Sequence, residues 1–413
     1  MTKHSAARPR GLESRAVSIR WGLSICAAWA AGAPAGAWAD GYATPYAAEA
    51  VEYNTDIFAL SKQGPEPVGA HGPTFADTYF DTRAGIDGTY ILGQQKLFGT
   101  AEFRRFEFDN FTLLNHNEEL FDGGLNWKIQ HAFDGTVEYR HEERMVQFLD
   151  LAAATQLVLE TENNATASFN ANFTPEWRLE SKAKIHDLDS PRVNIPGLSL
   201  HEESLHEGLH YLGVSNLSAG IDAEYLEGRY GHDPSAVTPD YHQVTLEFAS
   251  NYVVSGFTNF TGDAGYTKRQ DPTTSGLSAV TGSIGYQHSL TGKTSLNLQV
   301  NRAINTYVTT GGNVLNTSAV AAIAWQATYK ISVKGGYSYT LSKYPQAPDG
   351  SVFITRTDRY QTANVEVDYD VRRWCSLRAY SRYQTRHSSQ PLYAFDGSIV
   401  GVEIVVKRPG GPR

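Results

Sequence analysis

Leu157-Val158-Leu159-Glu160-Thr161-Glu162-Asn163-Asn164-Ala165-Thr166-Ala167-Ser168-Phe169-Asn170-Ala171-Asn172-Phe173 alternates almost without a break. Its odd positions are apolar apart from Thr161 and Asn163, and its even positions from Glu160 onward are polar. A period of two is that of a β-strand with one greasy and one wet face. The same alternation recurs from about Val51 to Val406. Such a pattern over most of a secreted chain predicts a transmembrane β-barrel, with lipid outside and water inside.

Working outward from that stretch, the alternation predicts about eighteen strands (sixteen to eighteen). They fall near 46–59, 76–92, 96–108, 118–130, 134–147, 157–173, 176–188, 200–213, 216–230, 240–254, 257–269, 276–289, 293–308, 315–328, 330–344, 356–370, 374–387 and 395–407. An even number closes an up-and-down antiparallel barrel with both chain ends at one rim. Short connections such as Phe173-Thr174-Pro175-Glu176, Leu290-Thr291-Gly292-Lys293 and Val371-Arg372-Arg373 take turns with longer ones such as 61–74, 187–199, 231–240 and 344–353. Short turns at one rim and long loops at the other is the arrangement of outer-membrane barrels. No loop is expected to exceed about fifteen residues, which argues against a long constriction loop.

The N-terminus reads as a signal peptide, residues 1–39. Arg8, Arg10, Arg15 and Arg20 form a basic region, Trp21 to Ala35 an apolar one, and Ala37-Trp38-Ala39 a cleavage site. Ile25 before Cys26 argues against a lipoprotein. A single barrel domain is expected over 40–413. Removing the signal takes Lys plus Arg from 35 to 30 and Asp plus Glu from 44 to 43, a formal charge of about −13. That balance, without a basic tract, disfavours a nucleic-acid partner. Cys375 is then alone, so no internal disulfide forms. The mean hydropathy of −0.37 resembles that of a soluble protein, but only alternate residues of a barrel strand meet lipid.

Assigning faces gives the chemistry. Phe121, Leu125, Trp127 and Ile129 point outward; Asp122, Asn126, Lys128 and Gln130 point inward. Other inward sets are Thr136, Glu138, Arg140, Glu142 and Arg144; Arg178, Glu180, Lys182, Lys184 and His186; Asp358, Asn364, Glu366, Asp368 and Asp370; and Ser376, Arg378, Tyr380, Arg382, Gln384 and Arg386. Two readings follow. On the first, the charges are salt-bridge ladders holding a wet interior together. Alternatively Arg140, Arg144, Arg178, Lys182, Lys184, Arg378, Arg382 and Arg386 line a path for an anionic or hydroxyl-rich solute, since guanidinium groups stack on sugar rings and fork onto carboxylates.

His206-Glu207-Gly208-Leu209-His210 matches the zinc-protease pattern H-E-x-x-H. That motif works only on a helix, which stacks the two histidines one turn apart. In a strand, four residues span about 13 Å, too far to share one ion. Leu205, Leu209 and Tyr211 continue the alternation, so the segment is expected to be a strand without metal, with Glu207 on the lipid face. No Gly-rich phosphate loop, paired-cysteine ligand set or Ser-His spacing points to a cofactor or an enzyme.

Several stretches resemble the EpsL-type outer-membrane proteins of exopolysaccharide-biosynthesis loci, within the wider group of β-barrel porins. Tyr53-Asn54-Thr55-Asp56-Ile57-Phe58 is similar to that group's first-strand motif. Ala101-Glu102-Phe103-Arg104-Arg105-Phe106, Asp109-Asn110-Phe111, Asn126-Trp127 and Leu290-Thr291-Gly292-Lys293-Thr294-Ser295-Leu296 follow in order. The resemblance implies a role in polysaccharide export and no catalytic residues. The chain departs from the pattern at its end, which runs Val405-Val406-Lys407 to Arg413 where such barrels end on an aromatic residue read by the assembly machinery. The expected function is a translocation path for a secreted polysaccharide. The alternatives are a general or anion-preferring porin and a structural barrel without transport. The expected partners are outer-membrane lipid, the hydrophilic solute and the assembly machinery, with the barrel itself a monomer.

Overall fold

The computed structural model describes residues 41–61, 75–146, 157–190, 198–231, 240–271, 276–307, 312–344 and 356–408. The expected signal segment lies outside these.

Eighteen strands form one sheet. They are β1 (Gly41–Asn54), β2 (Asp77–Leu92), β3 (Gln95–Phe108), β4 (His116–Ile129), β5 (Phe133–Met145) and β6 (Leu159–Asn172). Next come β7 (Trp177–Ser190), β8 (Leu198–Val214), β9 (Leu217–Tyr230), β10 (Tyr241–Ser255), β11 (Thr258–Gln270) and β12 (Leu277–Thr291). The last are β13 (Thr294–Tyr307), β14 (Gly312–Gln326), β15 (Ile331–Tyr344), β16 (Arg356–Arg372), β17 (Cys375–Ser388) and β18 (Phe395–Lys407). Each pairs antiparallel with its sequence neighbours, and β1 pairs with β18 from Tyr46↔Lys407 to Asn54↔Ile399, which closes the barrel. All the predicted strands are present, most within two residues of their expected ends.

The two rims differ as expected. Connections at one rim are tight, such as 93–94, 215–216, 256–257 and 292–293. In the first of these Gly93 sits at φ 63°, where a Cβ would be strained. The exterior is apolar: Phe121, Val137, Ile221, Leu246, Val280, Ile284, Val400 and Val402 are all exposed outward. Aromatic side chains gather outside at the tight-turn rim, where Phe133 and Phe169 stack at 5.8 Å and Trp177 meets Tyr211 edge-on at 5.1 Å. Amphipathic rings favour that depth because a membrane edge is apolar on one side and wet on the other.

The first strand departs from expectation. It ends at Asn54, not 59, and the connection to β2 runs from 55 to 76, longer than the fifteen-residue limit expected. The reason is local chemistry. Asn54 Oδ1 accepts the Asp56 N–H at 2.9 Å and Asp56 Oδ1 accepts the Leu60 N–H at 3.3 Å, which bends the chain off the wall. Ile57, Phe58 and Leu60 then bury themselves against Phe108, Phe111 and Leu114, with Tyr79 and Phe106 of the lumen face packed beside them. Phe58 meets Phe111 edge-on at 4.9 Å. The Asp77 carboxylate holds the second half of this knot. It accepts N–H groups of Thr78, Asn110 and Phe111 at 2.8–3.0 Å. Two of the five stretches that carry the resemblance, 53–58 and 109–111, therefore meet at the long-loop rim, folded inward over the wall of β2 and β3.

Candidate functional site in the lumen wall

Because the side-chain period is two, each strand gives the lumen every second residue. In β4 and β5 the side chains lie on the assigned faces. Thr136 Oγ1 donates to Asn126 Oδ1 at 2.8 Å on the inside, while Phe121 and Val137 stand exposed on the outside.

Four of the eight expected lumen bases are locked to acids. Arg140 lies 2.9 Å from Glu142 and 3.6 Å from Asp122. Arg144 reaches Glu160 and Glu162 at 2.9 Å and Glu142 at 3.4 Å. Arg178 contacts Glu180 at 3.0 Å and Asp134 at 3.1 Å. Arg378 contacts Asp368 at 2.7 Å, Glu403 at 3.3 Å and Glu366 at 3.5 Å. Arg386 is buried at the long-loop rim, where Nη1 donates to Tyr360 at 2.8 Å, Nε donates to the Tyr393 carbonyl, and Phe395 lies against it. Its place is structural. Lys182, Lys184 and Arg382 stand exposed, with no ion pair among the described residues.

Sequence reasoning missed the buried rim base Arg356, paired to Asp358 at 3.1 Å, and three more bases along the wall. Arg83 contacts Glu403 at 2.8 Å and Asp81 at 3.1 Å. Arg104 contacts Asp81 at 2.9 Å and Glu102 and Glu118 at 3.6 Å. Lys334 contacts Glu366 at 2.7 Å and Asp368 at 3.1 Å. Their parity matched that of the acids around them and was the available signal. These three with Arg140, Arg144, Arg178 and Arg378 make seven bases sharing twelve carboxylates. The ion-paired belt is therefore acidic on balance. It runs from β15 through β18, across the seam to β2, and on to β7. His186 extends it to β8 by bridging Glu162 at 3.3 Å and Glu202 at 2.8 Å.

The opposite wall is built differently. β12 and β14 contain no Asp, Glu, Lys or Arg, and β13 only Arg302. Hydroxyls take over: Thr245, Thr267 and Thr281 form a ladder across β10, β11 and β12 with oxygen separations of 3.0 and 2.7 Å.

A third device is a set of cross-strand pairs that put an aromatic ring opposite a glycine. Tyr46 faces Gly85, Phe98 faces Gly124, Tyr241 faces Gly228 and Tyr380 faces Gly401. A Cβ at any of these glycines would fall 2.1–2.7 Å from the ring, so each ring lies across the bare backbone. The rings cover the wall at these four glycines.

His206 and His210 lie on strand β8, as expected, and both face Asp222 of β9, at 3.5 and 2.9 Å. Among the described residues no group of three or more His, Cys, Asp or Glu side chains could hold a metal. Glu207 is on the outer face, where it accepts a hydrogen bond from Ser181 at 2.6 Å. Outside the wall, at the rim, burial raises the Asp56 carboxyl to about 6, although N–H groups of Leu60 and Ala59 oppose the shift.

Residues 251–408 match the family model described as "Putative beta-barrel porin 2". The closed wall and apolar exterior are those of an outer-membrane β-barrel, and over less than half of the chain the match is to a porin family. No curated protein matches the chain. Among solved structures it is similar to OccAB3 of Acinetobacter baumannii, at 10% identity over 90% of this chain and 100% of that one, with a TM-score of 0.47. It is also similar to OpdL of Pseudomonas aeruginosa, at 11% identity over 90% and 99% with a TM-score of 0.45. The siderophore receptor PirA of Pseudomonas aeruginosa is similar at 11% identity over 88% and 80%, with a TM-score of 0.46.

Proposed function

We propose that the barrel is a path through the outer membrane for a hydrophilic, hydroxyl-rich solute, and specifically for a secreted polysaccharide. The observation that carries this reading is the state of the lumen bases. Most are held by carboxylates on neighbouring strands, so the wall offers many donors and acceptors without a strong positive field. A neutral polyol can exchange hydrogen bonds with such a wall and move on, whereas a dense array of free charge would retain an anion or exclude it. Of the eight bases expected along the path, Lys182, Lys184 and Arg382 are left exposed. Polysaccharide as the solute rests on the resemblance of the five stretches quoted above, two of which meet at the inward-folded rim.

A second reading is a porin that favours cations. Twelve carboxylates against seven bases in the belt support it, and they turn the expected anion preference around. On either reading the barrel works as a monomer in lipid, is inserted by the outer-membrane assembly machinery, and is exported by residues 1–39.

Two measurements test the proposal. The purified protein in planar bilayers should open discrete conductance steps, and deleting its gene should lower secreted polysaccharide in the host. A barrel that passes no current ends the channel reading. Unchanged secretion ends the export reading and leaves the porin.

A further inference from the structure

The lumen wall holds a cavity of about 330 Å³ where strands from both ends of the chain meet. Its lining comes from β1, β2 and β3 on one side of the seam and β16, β17 and β18 on the other. Of its charged lining residues, Arg83, Arg104, Arg378 and Arg382 are bases and Glu52, Glu366 and Glu403 are acids. Asp81 and Asp368 stand just behind the lining and also hold Arg83, Arg104 and Arg378, which leaves Arg382 as the base of the cavity without an acid partner among the described residues.

The acids here are occupied. Glu403 lies between Arg83 at 2.8 Å and Arg378 at 3.3 Å. Glu52 accepts the Tyr79 hydroxyl at 2.5 Å. Glu366 contacts Lys334 at 2.7 Å. Arg382 differs from the other bases of the cavity. It is exposed, its cross-strand neighbours are Asn364 and Ile399, and it has no ion pair among the described residues. Two positions before it on the same face of β17 stands Tyr380, whose ring lies across Gly401. A ring laid flat on the wall turns a π-face toward the lumen, and a guanidinium beside it adds a planar fork of donors.

The geometry points to a saccharide subsite at this seam, in which Tyr380 stacks a sugar ring and Arg382 takes the carboxylate of an acidic sugar. The inference rests on the channel reading above and names its solute more narrowly, as a polymer containing uronic acid residues. The acids around the subsite are taken up by their own partners, so they do not compete for the fork. Because the cavity spans the seam, it exists only once the barrel has closed.

Equilibrium binding tests the subsite without requiring conduction. The full-length mature barrel in detergent is titrated calorimetrically with a hexamer of galacturonic acid and with maltohexaose, a neutral hexamer. The acidic hexamer should bind roughly tenfold more tightly, as expected for one charge-assisted fork. Arg382→Ser should bring the acidic hexamer to the affinity of the neutral one. Tyr380→Ala should weaken both, by roughly three- to tenfold. Heat-modifiable migration in gels confirms that each variant has closed. Equal binding of the two sugars by the unaltered barrel, or affinities indifferent to both substitutions, overturns the subsite. A barrel that conducts ions but binds neither hexamer also overturns it and leaves the channel standing. One that binds as described yet never conducts overturns the channel and keeps the subsite.

Discussion

The wall from β15 through the seam to β8 and the wall from β12 to β14 solve one problem in two ways. Both must present water-compatible surface inside a sheet whose outer face is greasy. The first does so with ion pairs that reach across two or three strands, such as Arg83–Glu403 and Arg144–Glu160. The second does so with short hydroxyls and amides, and with almost no charge. Long charged side chains fill space and cross-link strands, and removing one member leaves its partners stranded. Short hydroxyls make local bonds that water replaces readily. The charged wall is therefore the stiffer and less forgiving half, and it is also the half that carries the cavity at the seam.

The largest expected difference between the walls follows from this. Glu403 is 2% exposed and joins β18 to Arg83 of β2 and Arg378 of β17. Glu403→Gln should cost roughly 1.5–3 kcal/mol, the usual loss for hydrogen bonds to a charged group, read as a lower unfolding midpoint in detergent or urea. Thr281, on β12 of the uncharged wall, is also buried and bonds to Thr267 at 2.7 Å. Thr281→Val should cost about 1 kcal/mol, one neutral hydrogen bond. Equal costs would show that the two walls are not mechanically distinct.

Electrical measurement sharpens the same comparison. With carboxylates in excess in the belt, reversal potentials at low salt should show a preference for cations that fades as salt rises toward molar. Placing a carboxylate on the bare wall with Thr281→Glu should strengthen the preference, and Glu366→Gln should weaken it. A barrel that prefers anions would mean that Lys182, Lys184 and Arg382 dominate the field despite the belt.

The smallest effect concerns the rim. Asp56 has its carboxyl raised to about 6 in the folded chain against an ordinary 3.8. The folded state therefore holds the proton more tightly, so the contribution is fully present below about pH 4 and is lost as pH rises through 6. Lowering the pH from 7 to 5 should tighten the packing of Phe58 on Phe111 and slow proteolysis at the long-loop rim. Asp56→Asn should remove that dependence, and a wild-type-like pH profile in the variant would assign it to other groups.

The strands were legible because alternation is written into each segment separately. Glu160 to Phe173 needs no partner to declare its two faces. Even Glu207, placed on the lipid face by parity, proves to lie there, tied to Ser181. The pairing of ions was legible only as a possibility. Arg378 and Glu403 are separated by a turn and a register, and nothing in either strand alone states that they meet. The same holds for Tyr380 and Gly401, whose meaning appears only when they stand opposite each other. The end of β1 was misjudged because Ile57 and Phe58 continue an apolar pattern after the backbone has left the sheet. Their hydrophobicity serves the packing at the rim and not the wall.

The seam has a consequence for how the molecule comes to exist. Every other strand pairing joins neighbours in the chain, whereas Tyr46↔Lys407 and Asn54↔Ile399 join its two ends. Contacts of such separation form late, because the loop entropy they cost is repaid only when they are made. Until then a growing sheet carries two raw edges, each a template for the wrong neighbour. The folding problem of this protein is therefore one of custody: something must hold the first strand's edge until the last strand arrives.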